Sequence, residues 1–444
     1  GACITEEARL SLIEQNEKQV KRLQTEGILS RNPEKQAVSF SWPLRAGNGL
    51  AFNSYYGISN YVDHNSLFSG NNNNNVSDFN CGTRSYDTGS GYNHKGTDYF
   101  TFPFPWLMME NDQVEVVAAA PGTITTKRDG NPDKNCDFSN NNWNIIIIQH
   151  SDGSRAWYAH LKTNSLTPKN VGDTVAEGEY LGVVGSSGAS TGPHLHFEIY
   201  DTQNNLVDPY AGSCNNLNNS SWWQDQHAYY DSKINAILTQ SAPPVFFDCP
   251  PTPRRLEITN EKTDFTPGDT IYFLSYYTDQ RANMNTRHTL FRPDGSVYDN
   301  WNHSMSVSHY AWSYWWWWYV FPRNEMQGQW TYRTIFNGDT VSHDFNFGLA
   351  ASIEPELDEN LIHIGPNPFA ENLEIDWQEA MAELPPQFQL EMTDMLGKSV
   401  FSQEVQASRT SIQFKLKDIA PGIYNLRIYE QGRSLIWRKR LMKE

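Results

Sequence analysis

The chain has 444 residues, 38% of them hydrophobic and 19% charged, which excludes a disordered polyelectrolyte and at this length points to two to four domains. Its 34 basic and 51 acidic side chains leave a net charge of −17, which repels phosphate backbones and argues against a nucleic-acid partner. No apolar run approaches the roughly 18 residues that a membrane-crossing helix needs, so no transmembrane segment is expected.

At the N-terminus, Gly1-Ala2-Cys3 runs directly into Ile4-Thr5-Glu6-Glu7 without a signal peptide. This reads as a processed start, although Ala2-Cys3 also fits the end of a lipobox that would lipidate Cys3. Residues 4 to about 30 predict a helix, because Leu10, Ile13, Val20 and Leu23 recur at helical spacing and Thr5 before two glutamates suits a helix start. The segment 1–37 reads as a propeptide remnant or a docking helix.

From Phe40 to about Cys214, short apolar strands alternate with Gly, Asn and Asp turns, and Asn144–Gln149 reads as a buried strand. Residues 220–240 look helical, which makes 216–248 a helical linker. Leu256-Glu-Ile-Thr259 and Asp269–Tyr277 predict an immunoglobulin-like β-sandwich over 249–350. Within it, Trp315–Tyr319 is either an exposed aromatic row suited to stacking on sugars or a peptide strand, or a strand buried on both sides or against a neighbouring domain. The buried reading is favoured. Residues 349–360 form an acidic loop, and alternation such as Ile412, Phe414 and Leu416 predicts a small sandwich over 361–444.

The fold class expected is therefore mainly β: an antiparallel sheet domain over 38–215 with an N-terminal helix, followed by two sandwiches. Five cysteines at 3, 81, 136, 214 and 249 include no CxxC pair, which argues against a cysteine zinc site. Local loop closure predicts the disulfides Cys81–Cys136 and Cys214–Cys249.

Three segments carry candidate chemistry: Asn93-His94-Lys95-Gly96-Thr97-Asp98, Trp157-Tyr158-Ala159-His160-Leu161 and Ser187–Glu198, which holds Gly192-Pro193-His194-Leu195-His196-Phe197-Glu198. On a strand, His194, His196 and Glu198 share one face while Leu195, Phe197 and Ile199 share the other. Two imidazoles and the Asp98 carboxylate make a donor set that suits Zn²⁺ with an open fourth position, the arrangement of a catalytic rather than a structural site. Such an ion acidifies its water and polarises a carbonyl, and a spare histidine nearby would take a proton or steady an oxyanion.

In this order the segments resemble the M23 zinc metallopeptidases, the family of lysostaphin, LytM-type autolysins and β-lytic proteases. The resemblance runs from about Phe40 to Cys214 and includes Val116–Ile124, Val171–Gly178 and Asp208-Pro209-Tyr210. It implies that His94, Asp98 and His196 ligate one zinc ion and that His160 and His194 form the catalytic pair. Tyr158, two residues before His160, is expected to face the same way and to line the cleft as a substrate contact. Glu198 reads as an ordinary surface carboxylate, with orientation of a ligand imidazole or contact with substrate as the alternatives; His64 and His150 read as structural or solvent-facing. The aromatic insertion Tyr99–Glu110 departs from the family pattern, and is equally a substrate wall or lid and a hydrophobic plug.

The final block resembles the C-terminal sorting domain of type IX secretion substrates through Pro366-Asn-Pro-Phe369, Asp394–Lys398, Ala420–Ile428 and the basic ending Arg438–Glu444. That implies export across the outer membrane by the type IX machinery, with a secreted or cell-surface-attached product. The combined expectation is a secreted zinc endopeptidase acting on peptidoglycan stem peptides or cross-bridges. The alternatives are an extracellular protease of Gly-rich proteins such as elastin, a non-catalytic peptidoglycan-binding module, and a latent form whose zinc is covered by residues 1–37 or by the aromatic loop.

Overall fold

The computed structural model describes residues 4–32, 38–65, 75–88, 92–138, 142–246, 257–348, 361–381, 384–394, 398–406, 408–430 and 435–444. Cys3, Cys249, most of the Asn71–Asn75 run and the acidic stretch 349–360 lie outside them. The chain divides into two compact units, Gly1–Thr263 with Pro267–Phe347, and Asp264–Thr266 with Gly348–Glu444.

The first unit opens with helix α1 (Glu6–Thr25). Thr5 caps it by accepting the Ala8 N–H at 3.2 Å, Glu6 and Glu7 sit at the dipole's positive end, and Arg22 sits in the last turn. The buried stripe is Arg9, Leu12, Asn16, Val20 and Leu23, while Leu10 points to solvent. Two of these five side chains are polar, so each requires a partner in the fold. Asn16 finds the Thr125 and Thr126 hydroxyls at 2.6 and 2.8 Å.

The helix covers part of an antiparallel sheet. Its elements, in chain order, are β1 (Leu44–Ala46), β2 (Tyr56–Asn60), β3 (Thr97–Thr101), helix α2 (Pro105–Glu110), β4 (Val114–Val117), β5 (Gly122–Arg128), β6 (Ile145–Gln149), β7 (Arg155–Ala159), β8 (Thr174–Val175), β9 (Tyr180–Val183), β10 (His194–Tyr200) and β11 (Leu206–Val207). The main sheet runs β2-β3-β10-β7-β6-β5-β8, with β11 beside β10, and β1-β4-β9 form a smaller sheet. One face of the main sheet carries Leu195, Phe197, Ile199, Tyr99, Tyr158, Ile146 and Ile148 into the core. On the opposite face Ile145, Ile147, Trp157 and Tyr200 pack under Leu12 of α1. Strand β6 is thus buried on both sides, which is why its sequence is an uninterrupted isoleucine run rather than an alternation.

Residues 233–240, expected to be helical, instead form strand β12 (Lys233–Gln240), which pairs with Thr270–Arg281. Burial on both faces removes the alternation that marks a strand, and Ala236, Ile237 and Leu238 read as helix formers without it. Thr270–Arg281 pairs in turn with His309–Val320 to complete a three-stranded sheet. A second sheet, in which Thr286–Phe291 lies between Val297–His303 and Gly328–Phe336, packs against it to close the expected sandwich. The Phe273 ring meets Tyr332 and Phe345 across the layers at 5.2 and 5.4 Å, and the Ser275 and Tyr332 hydroxyls bond at 2.7 Å.

Two further expectations are corrected. The aromatic run is not buried on both sides, since Trp316 and Trp318 are exposed. The disulfide joins Cys81 to Cys214, with Cα atoms 5.1 Å apart across 133 residues, and neither cysteine takes its neighbour in sequence. The fold rather than loop length selects the pair, because the Cys214 N–H donates to the Phe79 carbonyl at 2.9 Å and so lays that segment beside Cys81. Cys136 is disulfide-bonded as well.

In the second unit, His363–Gly365, Asn372–Asp376 and Ser411–Lys415 form one sheet. Gln387–Thr393, Ser399–Gln406, Gly422–Glu430 and Leu435–Lys443 form the other. Trp377, Phe388, Leu390, Leu426 and Trp437 fill the space between them, as the alternating pattern predicts.

Candidate active site

Strand register assembles the site. His196 on β10 lies directly across from Asp98 on β3 and from Ala159 on β7. The same register puts Tyr158 opposite Phe197, on the core face. His160 follows the last residue of β7 in the left-handed region at φ 66°, which breaks the alternation. Tyr158 and His160 therefore point to different sides of the sheet. Tyr158 is fully buried, its hydroxyl accepting the Ala119 N–H at 2.8 Å, and the expectation that it lines the cleft is corrected.

His94, Asp98 and His196 are all buried, and their ligand atoms lie within 4.8 Å of one another. His196 Nδ1 is 2.6 Å from Asp98 Oδ1, His94 Nε2 is 3.1 Å from Asp98 Oδ2, and the two imidazole nitrogens are 3.3 Å apart. Each imidazole is aimed from behind. His94 donates its Nδ1–H to the Tyr61 carbonyl at 2.8 Å, which turns Nε2 toward Asp98 and His196. His196 uses the opposite nitrogen: its Nε2–H donates to Glu198 Oε1 at 2.7 Å, which turns Nδ1 toward Asp98 and His94. Burial opposes ionisation of Asp98, but His94 and His196 outweigh it and hold the carboxyl well below its usual range. Gly96 is required for this packing, because a Cβ there would sit 2.7 Å from the Phe197 carbonyl and 2.8 Å from His196 Cε1.

Glu198 is the residue most misjudged from sequence. It is a buried carboxylate, and Arg9 of α1 grips it through both nitrogens at 2.5 and 2.7 Å. The Tyr200 hydroxyl donates to its Oε2 at 2.6 Å. An Arg9-Glu198-His196 chain thus runs from the N-terminal helix to the His-Asp-His cluster. Arg9 was hidden because its partner lies 189 residues away; the visible signal was an arginine in the apolar stripe of an amphipathic helix.

The two remaining histidines stand side by side, with ring centroids 4.3 Å apart. His160 donates Nδ1–H to the Ser187 carbonyl at 2.5 Å, and its Nε2 has no hydrogen-bond partner among the described residues although it is fully buried. Burial, with His194 and His196 adding to it, holds His160 well below the usual imidazole range, so its Nε2 lone pair is free. His194 donates Nδ1–H to Gly192 at 2.8 Å and places Nε2 3.8 Å from Asp98 Oδ1; burial lowers its pKa too. Trp143, which the sequence reading did not single out, packs against both His160 and His196 with ring centroids at 5.3 and 5.6 Å.

Asp98 and His194 open into a cavity of about 720 Å³. The aromatic insertion reaches both the cavity and the sandwich. Phe100, Phe102 and Trp106 line the cavity, while Phe102 and Phe104 are also buried against Leu274 and Tyr276 of the sandwich. His64 and His150 are structural, bonded to Asp208 Oδ2 at 2.7 Å and to the Pro121 carbonyl at 2.8 Å, and both are buried rather than solvent-facing.

A buried His-Asp-His set with two imidazoles to spare, open to a cavity on one face of an antiparallel sheet, is the constellation of a metal-dependent hydrolase. Residues 93–209 match peptidase family M23, and residues 363–444 match the secretion system C-terminal sorting domain. The chain accordingly carries an M23 peptidase domain and a type IX sorting domain, the mark of proteins exported to the cell surface or beyond. The DD-carboxypeptidase/endopeptidase Mpg of Neisseria meningitidis is 47% identical over 55 residues, covering 12% of each chain. The peptidoglycan DD-endopeptidase ShyC of Vibrio cholerae is 30% identical over 112 residues, covering 25% of this chain and 21% of its own. The chain thus spans about a fifth or less of these relatives. The crystallised catalytic domain of lysostaphin from Staphylococcus simulans is 29% identical, with 27% of this chain and 77% of that one covered, at a TM-score of 0.20.

Proposed function

We propose that the protein is an exported zinc endopeptidase that hydrolyses peptide bonds in the stem peptides or cross-bridges of peptidoglycan. The observation that carries the reading is the convergence of His94 Nε2, Asp98 and His196 Nδ1 beside the unpartnered Nε2 of His160. Three protein donors of nitrogen and carboxylate type, buried and oriented from behind, fit Zn²⁺ with a position left open. When bound there, zinc supplies Lewis acidity toward a water and the scissile carbonyl.

The protein's own groups do the rest. His160, kept neutral by burial, is placed to accept the proton of the attacking water and to pass it to the departing amine. His194, at the cavity mouth beside Asp98, is placed to donate to the developing oxyanion once protonated at Nε2. Phe100 and Trp106 give the peptide an apolar wall that keeps bulk water from the reacting bond. The endopeptidase activity named for the Neisseria and Vibrio relatives favours a cell-wall substrate.

The test is mass spectrometry of products from purified peptidoglycan and from elastin, each incubated with the protein, the protein plus chelator, and His160→Ala. Chelator-sensitive release of muropeptides is expected, with His160→Ala slower by about 10²–10⁴-fold at unchanged metal content. Cuts confined to elastin would replace peptidoglycan as the substrate, and cuts insensitive to both chelator and His160→Ala would overturn the mechanism.

A further inference from the structure

The outer face of the three-stranded sheet is divided in two. Over Ala236, Leu238, Leu274 and Tyr276 it is buried under Phe102 and Phe104 of the peptidase insertion. On the strand His309–Val320, which lies at the end of that sheet, the same face continues into Trp312, Trp316 and Trp318, which are 50%, 43% and 59% exposed. The opposite face of the strand serves the sandwich interior, where Trp317 meets His288 at 4.4 Å and Tyr319 meets Phe273 at 5.7 Å. The exposed indoles are therefore additional to the core. Exposed large aromatics gathered in one row, rather than scattered singly, mark an interaction site.

Their placement says what they meet. The Trp312 ring is 5.7 Å from Phe102, and Trp312 lines the same cavity as Asp98 and His194. From there to Trp318 is six residues of strand, about 20 Å. The row thus starts in the wall of the catalytic cavity and leads away from it. The buried block beneath Phe102 and Phe104 fixes its direction relative to the site.

The alternating positions Tyr310, Trp312, Tyr314, Trp316, Trp318 and Val320 include no charge, on a chain whose net charge is −17. A ligand held there is recognised through flat apolar faces, not through ion pairs. The saturated ring of a neutral sugar presents a face of C–H bonds, slightly positive, to the negative face of an indole, while its hydroxyl and amide edges stay in water.

Resting on the peptidoglycan reading above, we propose that Trp312, Trp316 and Trp318 form a carbohydrate platform that holds the glycan strand while an attached peptide enters the cavity. The test uses the full chain stripped of metal so that nothing is cut, titrated with soluble glycan strands from which the peptides have been removed, and separately with free stem peptide. Binding of the glycan strands, with an accompanying change in tryptophan fluorescence, is expected. Trp316→Ala/Trp318→Ala is expected to weaken it at least tenfold, with circular dichroism and thermal midpoint unchanged. Glycan binding that survives the double substitution, or no glycan binding at all, overturns the proposal; so does peptide binding that the double substitution abolishes, which would make the row a peptide surface. Glycan binding through the row in a protein that fails to cut peptidoglycan would remove the proposed bond specificity and leave the platform standing.

Discussion

Arg9 ties the stability of the N-terminal helix to the geometry of the candidate metal site. Its guanidinium and the Glu198 carboxylate are both buried, so removing either leaves the other as an uncompensated charge. Breaking such a pair from one side costs about 3–5 kcal/mol, far more than an exposed pair contributes. Glu198 also accepts the Nε2–H of His196, and partners in that position typically change metal affinity by about 10–100-fold. Arg9→Met is therefore expected to weaken zinc binding by about that factor, measured by competition with a chromophoric chelator, and Arg9→Lys to recover part of it. An unchanged zinc affinity in Arg9→Met protein that remains folded would show that Glu198 orients His196 without help from the helix.

Among the elements, α1 is packed onto the sheet of the peptidase domain, away from the cavity. Leu12 packs into the sheet with Trp157 and Tyr200, and no residue of α1 lines the cavity among the described residues. Full burial of a side chain such as Leu12 is worth about 1.5–3 kcal/mol. Limited proteolysis that removes residues 1–30 is thus expected to lower activity and metal retention. A rise in activity on trimming would instead support a latent form inhibited by this segment. A second element, α2, carries a pH dependence. Glu257 accepts the Leu107 N–H at 3.1 Å, and burial pushes its pKa up to about 7. A carboxyl whose folded pKa lies above its unfolded value binds more protons in the folded state between the two. Its contribution to stability is complete below the unfolded value, near 4.5, and is lost as pH rises through about 7. Glu257→Gln is expected to flatten this part of the stability–pH curve, read as the denaturation midpoint at pH 5 and pH 8. An identical slope in both proteins would refute the assignment.

Across the whole molecule, what the sequence revealed was what local chemistry determines. The His194-Leu195-His196 alternation, the isoleucine run of β6 and the alternating pattern of the last sandwich each follow from strand geometry over a few residues. What stayed hidden depends on residues far apart in the chain. Glu198 looked like a surface carboxylate because its countercharge is in a helix near the other end of the peptidase domain, and Cys81 finds Cys214 across 133 residues. Tyr158 was assigned to the wrong face because a left-handed φ at His160 interrupts the period that the assignment assumed. Strand β12 lost its alternation by being buried twice, and the tryptophan strand displays its alternation to solvent.

Zinc dependence is decided by measuring metal content and peptidase activity on the same samples of wild type, His196→Ala and chelator-treated protein, before and after adding zinc. One equivalent of zinc in the wild type is predicted, lost with activity on chelation and restored with it. His196→Ala should show neither property at any zinc level below that which damages the fold. Full activity in wild-type protein without metal, or one tightly held equivalent in His196→Ala, would contradict the account.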